Sequence, residues 1–368
     1  MNIELNIEPM GNWFPKTKEL PLLIAGPCSA ETEEQVLATA KLIERDHRAM
    51  VYRAGLWKPR TRPGTFEGVG SEGLEWLKKV KQETRLLVAT EVAKAEHVEQ
   101  AIEAGVDILW VGARTTVNPF SVQELADALK GHDIPVLVKN PINPDLQLWI
   151  GALERINRAG ITKLGAIHRG FSPMSESKYR NDPKWKLAIE LKRLLPQLPI
   201  VCDPSHIGGK RDLIEPVAQK ALDLQMEGLM IETHIDPDRA LSDAKQQVTP
   251  DSLKLILDEI VLRRAQPTDG EFVESLHSLR EQIDEVDDEL IKLLAKRMML
   301  SDKIGESKKA NNVAILQVGR YEQILNDRVA KGMKNNLSAD FVKDIYEYIH
   351  QNSIKRQEKI MNEARIES

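Results

Sequence analysis

The chain has 368 residues, more than one hydrophobic core usually supports, so we expect two domains or one large barrel with an addition. Its formal net charge of −5 is small and lacks the basic character that a nucleic-acid binder shows. With only two cysteines, Cys28 and Cys202, no signal-like N-terminus and no long apolar run, the sequence predicts a cytoplasmic protein without a disulfide framework or a membrane span.

Eight short apolar runs, bounded by turn residues, are predicted as β-strands. They are 22–26, 50–55, 85–90, 107–113, 135–140, 163–169, 199–203 and 229–233. Intervening segments such as ETEEQVLATAKLIERD carry apolar residues at three- and four-residue intervals, which is typical of helices buried along one face. Apolar strands alternating with helices indicate a parallel sheet covered on its outside. This pattern favours an α/β fold of the closed (β/α)8 TIM-barrel type, with an open doubly wound sheet as the alternative.

A second pattern begins after the segment AQPTDGEF (265–272), which we interpret as an interdomain linker. Residues 1–264 are thereby predicted as the barrel and 273–368 as an all-α domain. From 272 to 309, apolar residues recur at helical spacing over roughly 55 Å, too long for the core of a small monomer to cover. Two more helices, near 318–332 and 338–364, complete a three-helix unit that we expect to pack between chains.

Charged side chains fall at the ends of the predicted strands, which is where active sites of such barrels lie. An acid, Glu91, is expected just after strand 3. The cations at these ends are Arg53, Lys58, Arg114, Lys139 and Arg169. Their mutual repulsion favours a ligand with several negative charges, because guanidinium forks and ammonium groups suit phosphate and carboxylate.

Candidate metal ligands occur at the same strand ends. Cys28 follows strand 1, His206 follows strand 7, Glu232 ends strand 8, and Asp243 lies further along the chain. A thiol, an imidazole and two carboxylates form a mixture of soft, borderline and hard donors. Such a set is compatible with a divalent transition metal such as manganese, iron or zinc.

A series of motifs runs through the barrel region in a fixed order: GPCSAE, YRAGLWKPRTRPGTFEG, ATEV, VGARTT, VKNP, IHRGF, DPSHIGG, and IETH with LSDAKQQ. On these motifs, residues 20–262 resemble the type I 3-deoxy-D-arabino-heptulosonate-7-phosphate (DAHP) synthases of the short β subgroup. The KPRT motif separates that family from the related 3-deoxy-manno-octulosonate 8-phosphate synthases, which represent the aldolase-like alternative with a different substrate. The resemblance implies condensation of phosphoenolpyruvate with erythrose 4-phosphate to DAHP and phosphate.

The resemblance also implies a role for each matching residue. One divalent ion, Mn²⁺ first, with Fe²⁺, Zn²⁺, Co²⁺ or Cd²⁺ as alternatives, would bind Cys28, His206, Glu232 and Asp243. The phosphoenolpyruvate-binding cations would be Arg53, Lys58, Arg114, Lys139 and Arg169, with Lys58 and Lys139 as candidate catalytic groups. The positions holding erythrose 4-phosphate would be Pro59, Arg60, Thr61 and Asp203. His168 is expected to point to the opposite face of its strand from Arg169 and to be structural.

Polar side chains also share faces of the predicted C-terminal helices. Arg297 and Lys308 lie about 20° apart around a helix that turns by about 100° per residue, so they share one face. Arg280 lies about a quarter-turn away, which suits a contact with a neighbouring chain. Ser353 and Gln357 are spaced to lie side by side on the third helix.

The segments LREQIDEVDDELIKLLAKRMMLSDKIGESKK and HQNSIKRQ resemble the dimeric all-helical chorismate mutases. The positions that align with substrate contacts of that family are Arg280, Arg297, Lys308, Arg320, Ser353 and Gln357, of which Arg297, Lys308 and Gln357 are the candidate catalytic residues. The resemblance implies rearrangement of chorismate to prephenate in a homodimer or higher homo-oligomer that binds small molecules, neither nucleic acid nor membrane. It also implies feedback control of the synthase, with prephenate as a candidate inhibitor.

Two positions depart from the mutase pattern. Gln317 stands where that family has an acid, and Tyr321 stands where an acid commonly follows the third arginine. The alternative is therefore a regulatory and dimerising module that binds chorismate or prephenate without useful turnover.

Overall fold

The computed structural model describes residues 4–14, 21–58, 64–173, 176–264 and 269–362. The chain divides into two compact units, Met1–Ala265 and Gln266–Ser368. None of the helices in the described ranges offers the long apolar stretch that crossing a bilayer would require.

Eight parallel strands close into a barrel in sequence order, and the last strand pairs with the first. The strands are β1 Leu22–Gly26, β2 Val51–Arg53, β3 Leu87–Val92, β4 Ile108–Val111, β5 Val136–Lys139, β6 Leu164–His168, β7 Ile200–Cys202 and β8 Gly228–Glu232. They are buried almost throughout, which explains why they read as continuous apolar runs. The barrel prediction is confirmed, and the open doubly wound sheet is excluded.

One strand-end prediction is wrong. Glu91 lies inside β3, where it pairs in parallel register with Trp110 of β4, instead of following the strand. Its carboxylate accepts a hydrogen bond of 3.0 Å from the indole nitrogen of Trp110, so the polar side chain is satisfied within the barrel.

Ten α-helices lie in the described part of the barrel unit. They are α1 Glu33–Glu44, α2 Glu72–Glu83, α3 Ala95–Glu103, α4 Ala113–Thr116, α5 Pro119–Leu129, α6 Leu146–Arg158, α7 Trp185–Leu194, α8 Pro204–Gly208, α9 Ile214–Asp223 and α10 Pro250–Glu259. Several begin at a side chain that caps a free backbone N–H: Thr32, Asn118, Asp145, Asp203 and Thr249. These caps help to set how the chain turns from a strand into the following helix.

The barrel interior is filled by side chains from its strands. Ile24, Trp110 and Met230 belong to one buried cluster, and Trp13 from the N-terminal segment packs into the same cluster. A Cβ atom on Gly165, near the start of β6, would lie 3.2 Å from the indole ring of Trp13. Trp13 therefore fills the end of the barrel at which the strands begin.

The second unit contains the three predicted helices, α11 Gly270–Ala310, α12 Val318–Lys334 and α13 Ala339–Asn362. Helix α13 packs against both α11 and α12. Helix α11 begins inside the segment that we interpreted as a linker, while 265–268 lie outside the described residues. Its first half carries apolar side chains that are more than half exposed, namely Phe272, Leu279, Ile283, Val286 and Leu290.

Candidate functional site

Three of the four predicted metal ligands converge at one end of the barrel. Cys28 follows β1, Glu232 ends the neighbouring strand β8, and Asp243 lies in the loop after β8. One donor atom from each of the three lies within 4.8 Å of the others, and Sγ of Cys28 is 3.5 Å from Oδ2 of Asp243. The buried register between β1 and β8 therefore brings together residues far apart in sequence.

The fourth predicted ligand, His206, lies beside this cluster on the short helix α8. Its Nδ1 is 3.8 Å from Oε1 of Glu232 and 2.8 Å from Oδ2 of Asp203. Burial lowers the pKa of His206, although the Asp203 carboxylate opposes this effect. The imidazole is therefore neutral at neutral pH, which is the form that binds metals.

The donor set fits a single divalent transition metal. Ligand bonds of about 2.0–2.3 Å leave donor atoms on opposite sides of an ion no more than about 4.6 Å apart. The three donor atoms lie within 4.8 Å of one another, close to that limit. The thiol of Cys28 follows β1, the carboxylate of Glu232 ends β8 and that of Asp243 lies in the following loop, and the three donors lie close together. Cys28, Glu232 and Asp243, with His206 adjacent, are thus the residues that could hold the ion.

Two predicted cations lie against this cluster. Arg53 is buried at the end of β2, where Nη1 is 3.3 Å from Oε1 of Glu232 and Nη2 donates to the carbonyl of Cys28. Its guanidinium also lies 4.8 Å from the ring centroid of Trp110. Nζ of Lys58 donates to the carbonyl oxygen of Cys28 and lies 3.1 Å from its sulfur.

A second group of cations lies on the other side of the barrel end. Lys139 ends β5 and pairs with Asp203 at 2.9 Å. Arg169 follows β6, and burial lowers its pKa to about 10, with the nearby cations Arg180 and Arg114 adding to the effect. Arg114 is exposed and lies in α4, three residues beyond the end of β4, instead of at the strand end itself. Such crowding of positive charge favours an anionic ligand.

Some predicted residues lie elsewhere or cannot be placed. Pro59, Arg60 and Thr61 lie outside the described residues. His168 faces away from the barrel interior, since its ring packs among Trp149, Phe171 and Trp185, and burial lowers its pKa to about 3.

Sequence reasoning missed two polar residues that hydrogen-bond to the carboxylates of the donor cluster. Nη1 of Arg180 lies 3.0 Å from Oδ1 of Asp243, and Nε2 of Gln246 lies 2.6 Å from Oε2 of Glu232. Gln246 belongs to the LSDAKQQ motif, which was a usable signal. Arg180 lies in an irregular loop between β6 and α7, where no periodicity marks it.

The helical unit contains a second candidate site, a cavity of about 360 Å³ between its three helices. Its lining includes the predicted residues Arg297, Lys308, Arg320, Ser353 and Gln357. Arg280 is exposed and is not among the lining residues. A single chain thus brings together five of the six residues predicted to contact chorismate.

The polar groups of this cavity are already oriented by neighbours. Nη1 of Arg297 donates to Oγ of Ser353 at 2.8 Å, and Nε2 of Gln357 lies 3.1 Å from Oγ of Ser301. Lys308 donates to the carbonyl of Ile315. Two cations and an amide on facing helices suit a small dicarboxylate.

An aromatic pair in the cavity was not predicted. Tyr321 and His350 stack with ring centroids 4.1 Å apart and planes tilted by 25°. Both line the cavity, as does Gln317. Gln317 and Tyr321 are the two positions at which the resemblance implies an acid, so an amide and an aromatic ring line the cavity there.

Comparison with known families agrees with the division into two units. The DAHP synthetase I family matches residues 16–263, and chorismate mutase type II matches residues 279–358.

Individual relatives match the barrel unit. A phospho-2-dehydro-3-deoxyheptonate aldolase of Thermotoga maritima is 33% identical over 238 residues, covering 65% of this chain and 68% of that protein. A 2-dehydro-3-deoxyphosphooctonate aldolase of Syntrophotalea carbinolica is 28% identical over 262 residues, covering 65% of this chain and 89% of that protein. The crystal structure of the Thermotoga maritima aldolase, also named DAHP synthase, aligns with a TM-score of 0.59 at 30% identity, over 66% of this chain and 68% of that chain.

Proposed function

Because the chain belongs to the DAHP synthetase I family and also carries a chorismate mutase type II domain, we propose that it is a bifunctional shikimate-pathway enzyme. The barrel condenses phosphoenolpyruvate with erythrose 4-phosphate, giving DAHP and phosphate. The helical domain converts chorismate to prephenate. The observation that carries the synthase proposal is the cluster of Cys28, Glu232 and Asp243 with Arg53 and Lys58 against it.

The donor cluster supports one bound divalent ion, with Mn²⁺ as the first candidate and Fe²⁺, Zn²⁺, Co²⁺ or Cd²⁺ as alternatives. Cys28, Glu232, Asp243 and His206 would hold it. Such an ion, when bound, supplies Lewis-acid polarisation of the aldehyde carbonyl.

The cations of the barrel hold the two reactants against their mutual repulsion. In the overall reaction C3 of phosphoenolpyruvate bonds to the aldehyde carbon, the aldehyde oxygen takes up a proton, water adds at C2 and phosphate leaves. Arg53, Lys58, Arg114, Lys139 and Arg169 would bind phosphoenolpyruvate, and their contribution is proximity and charge stabilisation. Arg169 supports this role, because burial and then the neighbouring cations Arg180 and Arg114 lower its pKa, and a bound anion would offset both effects.

The same proposal assigns erythrose 4-phosphate to Pro59, Arg60, Thr61 and Asp203. Asp203 is buried, caps α8 by accepting from the backbone N–H of His206, and pairs with Lys139. It thus lies between the cation group and the donor cluster.

The synthase proposal is tested by measuring product from phosphoenolpyruvate and erythrose 4-phosphate with and without a chelator. We expect formation of DAHP that the chelator abolishes and added Mn²⁺ restores. A five-carbon aldose phosphate in place of the four-carbon substrate tests the octulosonate alternative, since three plus five carbons give its eight-carbon product. Preferential use of the five-carbon sugar would contradict the assignment. Manganese-loaded Cys28→Ala protein that kept wild-type rates would remove the metal assignment.

The mutase proposal rests on the cavity that Arg297 and Lys308 line together with Gln357. The rearrangement of chorismate needs neither a nucleophile nor proton transfer. Arg297 and Arg320 would bind the carboxylates, and Lys308 and Gln357 would donate to the ether oxygen, where charge develops in the transition state.

A homodimer through the helical domain completes this proposal. On a helix that turns by about 100° per residue, the five exposed apolar residues named above in the first half of α11 lie within about 40° of Arg297, on the face that it shares with Lys308. A stripe that long and exposed is typical of an interface. We propose that a second copy covers it and that Arg280 of one chain enters the cavity of the other, with a higher homo-oligomer as the extension.

The alternative is a regulatory module that binds chorismate or prephenate with little turnover. The Tyr321–His350 stack favours it, because an aromatic side chain, Tyr321, occupies a position where an acid would bind the substrate hydroxyl. An assay of prephenate formation, combined with the synthase rate in added prephenate, separates the two roles. Both roles are compatible in one domain.

The unpaired thiols Cys28 and Cys202 suit the reducing cytoplasm that we propose for the enzyme.

A further inference from the structure

Arg180 connects the loop after β6 to the donor cluster at the barrel end. Its Nη1 atom donates to Oδ1 of Asp243 at 3.0 Å and also donates to Oε1 of Gln246. The other oxygen of Asp243, Oδ2, is the one that approaches the sulfur of Cys28. The guanidinium therefore holds the outer oxygen of this carboxylate and leaves the inner one facing the cluster.

The same guanidinium reaches the second carboxylate through an amide. Gln246 accepts from Arg180 with Oε1 and donates from Nε2 to Oε2 of Glu232 at 2.6 Å. Gln246 is buried, and only this orientation of its amide satisfies both ends. If the amide were flipped, its NH₂ group would face the N–H of Arg180 and its oxygen would face the carboxylate of Glu232. Oε1 of Glu232 is left beside Arg53 and His206.

Two glycines leave room for the backbone and side chain at Arg180 and the next residue. Gly209 has φ of +71°, and a Cβ atom there would lie 2.3 Å from Cβ of Arg180. Gly170 has φ of +76°, and its Cβ atom would lie 2.8 Å from the carbonyl oxygen of Asn181. Both positions require glycine, by conformation and by space.

Asn181 secures the same loop to the active-site elements. Its side-chain oxygen accepts from Nη1 of Arg169 at 2.8 Å, and its nitrogen donates to the carbonyl of His206 at 2.6 Å. The backbone N–H of Arg180 donates to the carbonyl of Gly208 on the same short helix. Arg180 is thus held in place by contacts on both sides.

We propose that Arg180 is a positioning residue that orients the carboxylates of Asp243, directly, and Glu232, through Gln246, for binding of a divalent metal ion. This inference rests on the proposed metal-dependent synthase. Hydrogen-bonded partners of metal ligands fix ligand orientation, and their loss typically weakens metal binding about 10- to 100-fold.

The test measures Co²⁺ and Cd²⁺ binding through the ultraviolet charge-transfer band of the Cys28 thiolate, in competition with a chelator. We expect Arg180→Met to bind about 10- to 100-fold more weakly than the wild type. Arg180→Lys keeps the positive charge, but its ammonium is one bond closer to the backbone than Nη1, the atom that donates to both Asp243 and Gln246. It therefore falls short of the two acceptors and should also bind the metal more weakly. The matched control is Arg193→Met, which removes an exposed arginine that pairs with Glu190 and should leave binding unchanged.

The outcomes separate the possible failures. Unchanged or tighter binding by Arg180→Met, or wild-type binding by Arg180→Lys, would overturn the positioning role. If the wild-type protein shows no thiolate band when Co²⁺ or Cd²⁺ is added, both the proposed metal site and this inference are wrong. Circular dichroism in chelator confirms that each variant is folded. If Arg180→Met does not fold, Gln246→Met interrupts only the route to Glu232, and wild-type affinity in that variant would also overturn the proposal.

Discussion

Nζ of Lys58 lies 3.1 Å from the sulfur of Cys28 and 3.1 Å from the carbonyl oxygen of the same residue. Burial raises the pKa of the Cys28 thiol to about 11, and the neighbouring Glu232 carboxylate adds to this, while Lys58 opposes it. Burial would lower the pKa of Lys58, but the charges of Cys28 and Glu91 outweigh it and raise that pKa. Lys58 is therefore a charged group positioned to stabilise the thiolate.

Replacing Lys58 with methionine should raise the pKa of Cys28 further. The loss of an adjacent cation shifts such a group by about one to three pKa units. A pH titration of thiolate ultraviolet absorbance in chelator, with the Cys28→Ala protein subtracted, gives the value. Lys78→Met is the control, since Lys78 is exposed and pairs with Glu75. An unchanged titration would show that the ammonium does not act on this thiol.

Metal binding should release a proton from Cys28. A thiol with a pKa of about 11 is protonated at neutral pH, whereas the metal ligand is the thiolate. His206 is neutral because burial lowers its pKa, so it adds no proton. Affinity for Cd²⁺ should therefore rise about tenfold per pH unit between about pH 7 and 9. Calorimetry in buffers of different ionisation enthalpy gives the number of protons released when Cd²⁺ binds. A number near zero would contradict a protonated Cys28 thiol.

His168 should make the barrel less stable in mild acid. Burial lowers its pKa to about 3, below the unfolded value of about 6.5, so the unfolded chain binds a proton that the folded chain does not. The free energy of unfolding should fall by about 1.4 kcal/mol for each pH unit as the pH drops between these two pKa values. His168→Phe should remove this dependence of stability on pH. All six tryptophans lie before residue 186, so their fluorescence follows barrel unfolding during urea titration, and equal slopes in both proteins would refute the assignment.

The barrel and much of the candidate site at its rim were predictable because buried parallel strands carry a strong sequence signal. Cys28, Arg53 and Glu232 follow or end such strands, and strand ends meet at one rim. Arg180 was not predictable, because its loop has no periodic pattern and its contact with Asp243 arises only when the loops after β6 and β8 meet in the closed barrel. Glu91 was misplaced because strand boundaries are the least certain part of an apolar run.

In the helical unit the same contrast appears. Helical periodicity placed Arg297 and Lys308 on one face, and they do line one cavity. The Tyr321–His350 stack joins two different helices, so no spacing within one helix indicates it.

Arg297→Ala should abolish conversion of chorismate. Arg297 lines the cavity and donates to Ser353, and burial lowers its pKa, so a substrate carboxylate would balance its charge. Loss of one such donor typically costs about 10²- to 10³-fold in rate. DAHP formation in the same preparation is the internal control, and Lys331→Ala, which removes an exposed ion pair, is the matched variant. Retained prephenate formation would remove this site.

Mixing two inactive variants should restore chorismate conversion if Arg280 acts across a dimer. Arg280 is exposed outside the cavity that Arg297 lines, so a site would need Arg280 of one chain and Arg297 of the other. Arg280→Ala and Arg297→Ala, unfolded and refolded together, should form heterodimers with one intact site and one doubly substituted site.

Random pairing makes half of the dimers heterodimers, so about a quarter of wild-type activity should return. The control mixture combines Arg297→Ala with Lys308→Ala. Both of these residues line the same chain's cavity, so each site in that mixture keeps a defect and no activity should return. Recovery in the first mixture alone identifies Arg280 as a partner-supplied residue. If no activity returns in protein that sedimentation shows to be dimeric, Arg280 lies outside the site. The exposed apolar stripe of α11 would then hold the dimer together without adding a residue to the cavity.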